Sequence, residues 1–158
     1  MSATAETTRP AQAARGNNDE ARDVYVTLTV GGQLCGIPVL TVRDILGPQA
    51  ITRIPLAPTE VAGSLNLRGR IVTAIDLRRR LGVSHAGSGT SMSVVVEHQG
   101  ELYSLLVDHV GEVMRLEAQS REQNPPTLAP EWRAFSAGIF RLSGELLVVL
   151  DVAAVLDL

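Results

Sequence analysis

The chain has 158 residues, 45% of them hydrophobic and only 3% aromatic, with 14 basic residues, all arginine, against 17 acidic ones for a net charge of -3. That length holds one ordinary domain, or two very small ones sharing a core, and the scarcity of aromatics makes the core aliphatic. With neither a basic field nor aromatic stacking platforms the chain does not read as a nucleic-acid binder; its single cysteine, Cys35, gives no internal disulfide framework, and no apolar run approaches the ~18 residues of a membrane span.

Residues 1–22 carry no bulky apolar side chain after Met1. Such a segment cannot bury enough surface to offset its ordering entropy and reads as a disordered tail. It has no apolar segment of a secretory signal, which points to a cytoplasmic protein without direct membrane insertion. The ordered domain is expected over residues 23–158. Val24 to Val30 alternates and is rich in β-branched residues, Gly31-Gly32 suits a tight hairpin turn, and Gln33 to Ile37 resumes the strand pattern. Val39, Val42, Ile45 and Leu46 fall on one face of a short helix. Ile51 to Ile54 reads as a short strand, Pro55 and Pro58 bracket a turn, and Thr59 to Ala62 is at most one helical turn.

Leu65 to Ile75 reads as two strands joined at Arg68-Gly69. Asp76 is placed to cap a short helix, Leu77 to Leu81, that Gly82 stops. Ser84 to Ser91 is a Gly/Ser loop. Val94 to Val96 and Leu102 to Val107 form a second hairpin around Gln99-Gly100. Gln119 to Pro130 is a polar, Pro-rich loop. Ile139 to Leu142 and Glu145 to Leu150 make a last hairpin around Ser143-Gly144, and Asp151 caps a final helix ending at Leu156.

The chain repeats itself. Shifted by 75, Gly63, Leu67, Gly69, Asp76 and Leu81 fall on Gly138, Leu142, Gly144, Asp151 and Leu156, five identities within 19 residues. Shifted by 68, Leu34, Val39 and Val42 fall on Leu102, Val107 and Val110, and Asp44 on Glu112. Two duplicated β units of about 65 residues, each marginal alone, imply a mainly β fold: two small five-stranded barrels sharing an apolar core, with a few short helices. The repeat also shows what the fold does not need. Arg68 corresponds to Ser143, so the turn does not require arginine. Arg78-Arg79-Arg80 corresponds to Ala153-Ala154-Val155, which predicts a solvated first helix and a second one buried between the halves or under a partner.

Chemistry is sparse. His85, His98 and His109 lack metal-ligand spacing, and no cofactor motif is present. Cys35 in its alternating strand reads as a small core residue rather than a nucleophile. Gly87-Ser88-Gly89 lacks the lysine and following helix of a phosphate loop. Asp76 and Asp151 read as helix caps rather than paired catalytic carboxylates. Arg78 to Arg80 reads as a solvated charge run before it reads as an anion-binding patch.

The segment Gly63-Ser64-Leu65-Asn66-Leu67-Arg68-Gly69-Arg70-Ile71-Val72-Thr73-Ala74-Ile75-Asp76-Leu77-Arg78 resembles the most recognisable stretch of the CheW family, the coupling proteins of bacterial chemotaxis. Cys35 to Val39, Val42 to Ile45, Leu106 to Val113 and Leu146 to Asp151 resemble it in order, so the likeness covers residues 23–158. The resemblance implies a pair of five-stranded β-barrels and a non-enzymatic adaptor. Its implied partners are the regulatory domain of a CheA-type histidine kinase and the cytoplasmic tip of chemoreceptors, which would recruit it to membrane receptor arrays. Carried over by position, Arg68 and Asp44 face the receptor, Val39 and Val42 line the apolar part of the same groove, and Gly63 and Asn66 of the motif join them. Asp44 stands where the family usually has Glu, one methylene longer. Ordinary core packing is the alternative for the two valines. Competing readings are an adaptor of a pilus-motility or developmental pathway and a small-ligand-binding β-barrel sensor.

Overall fold

The computed structural model describes residues 24–83 and 91–158; the expected tail, His85 and all of the Gly/Ser loop but Ser91 lie outside them. Ten strands follow in order: β1 Val24–Val30, β2 Gln33–Pro38, β3 Val42–Leu46, β4 Val61–Leu67, β5 Arg70–Asp76, β6 Met92–His98, β7 Glu101–Val107, β8 His109–Arg115, β9 Ser136–Leu142 and β10 Glu145–Leu150. Three short helices join them: α1 Leu77–Arg80, α2 Pro130–Arg133 and α3 Val152–Val155. The strands form two five-stranded sheets, ordered β8-β1-β2-β10-β9 and β3-β6-β7-β5-β4. Advancing each strand of the first sheet by five, and wrapping round, gives the second.

The register carries the duplication further. Val148 pairs with Cys35 in the parallel β10–β2 contact, and Thr73 pairs with Tyr103 in the parallel β5–β7 contact. Subtracting 75 and adding 68 converts one pair into the other. The antiparallel pairs Leu28 with Val110 and Val96 with Val42 are related by the 68-residue shift alone, added to one partner and subtracted from the other. The repeat is therefore structural, but the sheets are not the successive halves. The β1–β2 hairpin lies in the sheet that holds β8, β9 and β10, and the β6–β7 hairpin lies in the sheet that holds β3, β4 and β5. Each half lends a hairpin to the other. The ladders run open from edge to edge rather than closing into barrels.

The inner strands are buried on both faces over much of their length, while the edge strands β3 and β8 stay largely open. Leu28, Ile37, Ile75, Val94, Leu105, Ile139 and Val148 belong to one core shared by the sheets. Leu65, Val72, Ala74 and Leu106 make a second cluster in one sheet, and Tyr25, Phe140, Leu147 and Val149 make its counterpart in the other. Strands buried on both faces lose alternation and read as continuous apolar runs, as Leu147 to Leu150 does. Burying such a side chain contributes roughly 1.5–3 kcal/mol, which is how so few aromatics suffice.

Four segments differ from the sequence expectation. Val39 to Leu46 is not a helix; Val39–Thr41 is one 3₁₀ turn and β3 follows. The turn gives an i, i+3 spacing, and a bulge between Val42 and Asp44 shifts the alternation, so together they imitate a helical period. The Ile51 to Ile54 strand reduces to a single bridge, Thr52 with Ser64. Strand β8 and helix α2 had no sequence assignment.

Candidate functional site

Residues Arg68 and Gly69 form the tip of the β4–β5 hairpin, with φ of 51° and 85°. Two successive left-handed residues match the right-handed twist of the strands they join. Glycine adopts that conformation freely; arginine is strained in it. The Asn66 side-chain oxygen accepts a hydrogen bond from the Gly69 amide at 2.9 Å and holds the turn shut. At the counterpart turn Gly144 has a φ of 88°, but Ser143 is not left-handed. The strain at Arg68 is therefore absent from its counterpart turn, although Gln99, with a φ of 53° before Gly100, carries the same strain at the β6–β7 hairpin.

The tip reaches across to β3. Arg68 Nη2 lies 2.9 Å from Asp44 Oδ2, with the arginine three-quarters exposed and the aspartate mostly covered. The other Asp44 oxygen accepts from the Ile45 amide at 2.9 Å, which fixes the carboxylate. Beside this pair Arg43 donates from Nε to Glu97 Oε1 at 2.8 Å. Leu67, Val95 and Leu102 floor a pocket of about 250 Å³ that these charges and Arg70 rim. Three guanidinium groups against two carboxylates leave the rim positive, with an apolar floor.

The structure therefore brings Asp44 and Arg68 together. Val42, half-buried, packs on the shared core from the same strand, and Val39 stands half-buried in the turn before it. Gly63 lies at the opposite end of β4. Its φ is +148°, and a Cβ there would stand 2.2 Å from the Thr52 carbonyl oxygen, so it serves the Thr52–Ser64 bridge. The repeat preserves this device: Gly138 has a φ of +141° and abuts the carbonyl of Glu122, which bridges to Ile139. Sequence reasoning missed the Arg43–Glu97 pair, Arg70, and the exposed Leu40, Ile45 and Ile71, the last 70% exposed. Ile71 and Val72 are adjacent in one strand, so only one of them turns inward; that alternation was the available signal.

The arginine run behaves differently from its prediction. Arg78 is only 3% exposed; its Nη1 lies 3.2 Å from Asp108 Oδ1 and its Nη2 donates to Ser91 Oγ at 2.9 Å. Arg80 donates to the carbonyls of Val155, Ala154 and Asp157 at the end of α3 and stacks over Phe135. Only Arg79 is solvated. A guanidinium covered this way is not a patch for an anionic partner. Asp76 and Asp151 accept from the Arg78 and Ala154 amides, as helix caps do. Cys35 is fully buried, and burial pushes its thiol far above the ordinary value. Among the described residues no three His, Cys, Asp or Glu side chains gather at metal-binding separation, and no helix is long and apolar enough to cross a membrane.

Comparison with known proteins places this geometry. The family model of the CheW-like domain matches residues 24–158. The chemotaxis protein CheW of Klebsiella aerogenes is 31% identical over 137 residues, covering 84% of this chain and 81% of that one. The protein PilI of Pseudomonas aeruginosa is 29% identical over 112 residues, 70% of this chain and 63% of its own length. The crystal structure of the scaffolding protein TtCheW from Thermoanaerobacter tengcongensis superposes with a TM-score of 0.78 at 29% identity, covering 87% of this chain and 94% of that one.

Proposed function

The chain belongs to the CheW-like family, and on that premise we propose that it is a non-enzymatic adaptor coupling chemoreceptors to a CheA-type histidine kinase in chemotaxis signalling. It works in the cytoplasm and is held at receptor arrays through its partners. The observation that carries the reading is the Arg68–Asp44 pair at the strained tip beside an apolar-floored pocket. A helical receptor tip lays its apolar face along Val39 and Val42 while the charges at the rim fix its register. An arginine at this tip, where the equivalent turn has Ser143, supports a role in recognition rather than folding.

The test is a reconstituted phosphorylation assay with receptor cytoplasmic fragments and kinase. Arg68→Glu sets two carboxylates against each other and is expected to abolish receptor control of the kinase. The melt should stay within about 0.5 kcal/mol of the parent, because the site is an exposed turn. Full receptor control in a folded Arg68→Glu protein would refute the assignment. The likeness to PilI supports one second reading, an adaptor of a non-flagellar chemosensory pathway; the receptor and kinase that restore coupling in the same assay decide between them.

A further inference from the structure

The two sheets are built alike, so each position of one shows what the fold requires at its counterpart in the other. The first sheet fills its own cluster with two aromatic rings. Tyr25 and Phe140 are buried and meet edge to face with centroids 5.5 Å apart, beside Leu147 and Val149. The shifts of 68 and 75 that relate the halves carry Tyr25 to Ser93, Phe140 to Leu65, Leu147 to Val72 and Val149 to Ala74. All four are smaller in the second sheet, and no ring remains. A Cβ at Gly36 would stand 3.0 Å from Leu147 and 3.4 Å from Tyr25; its counterpart, Ser104, has a side chain because its neighbours have shrunk.

The hollow of about 250 Å³ at the Arg68 tip stands over this trimmed interior, with Val95 and Leu102 in its lining. Opposed residues of β6 and β7 share a face: Glu97 with Leu102 at the mouth, Val95 with Ser104 next, and Ser93 with Leu106 deepest. Ser93 and Ser104 are fully buried, and neither hydroxyl has a hydrogen-bond partner among the described residues. Unpaired buried hydroxyls are rare in a finished core. The rim differs between the halves as well. Arg43, Arg68 and Arg70 correspond to Gly111, Ser143 and Glu145, so the fold needs none of the three cations. Arg43 is held by Glu97 and Arg68 by Asp44. Among the described residues Arg70 has no ion pair, which leaves its guanidinium to a ligand.

We propose that this hollow is a binding site for a small aromatic carboxylate, its ring on Leu67, Val95 and Leu102 and its carboxylate on Arg70. The ring supplies what Tyr25 and Phe140 supply to the other half, and the carboxylate balances a rim that carries one positive charge in excess. A guanidinium fork matches a carboxylate with two parallel hydrogen bonds. An apolar floor with a few polar groups at its edge is the ordinary make-up of a small-molecule site. The site concerns this chain alone and stands whether or not the adaptor reading does.

The test is an amide NMR titration of the full chain with benzoate, acetate and benzyl alcohol, which separate the ring from the charge. Benzoate should bind saturably at about 1 mM or tighter, with shifts centred on Leu67, Arg70, Val95 and Leu102, and the other two at least tenfold more weakly. Arg70→Gln, at an exposed side chain, should weaken benzoate at least fivefold and leave benzyl alcohol unchanged. Arg133→Gln, in α2, should change neither. Leu102→Phe supplies a ring from the protein itself and should weaken benzoate without lowering Tm. Shifts that do not saturate or that centre elsewhere, acetate or benzyl alcohol binding as tightly as benzoate, or parental benzoate affinity in Arg70→Gln overturns the proposal.

Discussion

Replacing Arg78 by Met keeps most of the aliphatic volume and removes the charge. The guanidinium is nearly inaccessible and sits 3.2 Å from Asp108, whose other oxygen accepts from the Gly31 amide at 2.8 Å. The pair thus ties α1 to the β1–β2 turn through the single residue between β7 and β8. Removing one partner of a buried pair costs about 3–5 kcal/mol, because a charge is left uncompensated. Asp108 retains some solvent contact, 22% of its side chain, which places Arg78→Met near 3 kcal/mol, at the low end of that range. At roughly 3 °C per kcal/mol for a chain of this size, Tm should fall by about 9 °C. Arg79→Met is the control. Its side chain is 63% exposed with its carboxylate 3.6 Å away, so the change should stay within about 0.5 kcal/mol. Thermal and urea melts of Arg78→Met, Asp108→Asn and the double variant complete a cycle, with coupling expected near 2 kcal/mol. Equal losses from Arg78→Met and Arg79→Met, or an additive double variant, would refute the reasoning.

The two bridge glycines should rank by how close the obstructing carbonyl stands. Gly63→Ala meets the Thr52 oxygen at 2.2 Å and Gly138→Ala meets that of Glu122 at 2.9 Å, so urea melts should show about 3 kcal/mol or more lost for the first and about 2 kcal/mol for the second. Cys35, buried and held protonated, should react with a disulfide reagent only through unfolding, and labelling should track the urea transition; rapid labelling of the native chain would contradict that burial.

The strands flanked by glycine turns were legible in the sequence, because Gly31-Gly32, Gly69, Gly100 and Gly144 all sit where left-handed backbone is needed. The caps at Asp76 and Asp151 were legible for the same local reason. What failed is non-local. Strand β3 exists because it pairs with β6 from the other half, and no window around Val39 contains that fact. Strand β8 is an exposed edge strand with little apolar alternation to announce it. The arginine run looked solvated because charge runs usually are; Asp108 and the α3 carbonyls, which cover it, lie far along the chain. For the candidate site the motif supplied Arg68 and Asp44, but not the contact between them, nor the separate backbone duties of Gly63 and Asn66.

The exchanged hairpins also set the order in which this chain can be finished. Every strand of the sheet β3-β6-β7-β5-β4 has been made once residue 107 is synthesised. Strand β2 must wait for its parallel neighbour β10, which ends at Leu150. At ribosomal speeds of about 5–20 residues per second, the β1–β2 hairpin therefore stands unpaired along both edges for several seconds. Those edges carry Leu28, Val30, Cys35 and Ile37, and an open apolar hairpin is a template for pairing with another nascent chain. The arrangement that unites the two halves in the native state makes the earliest strands the last to find their partners.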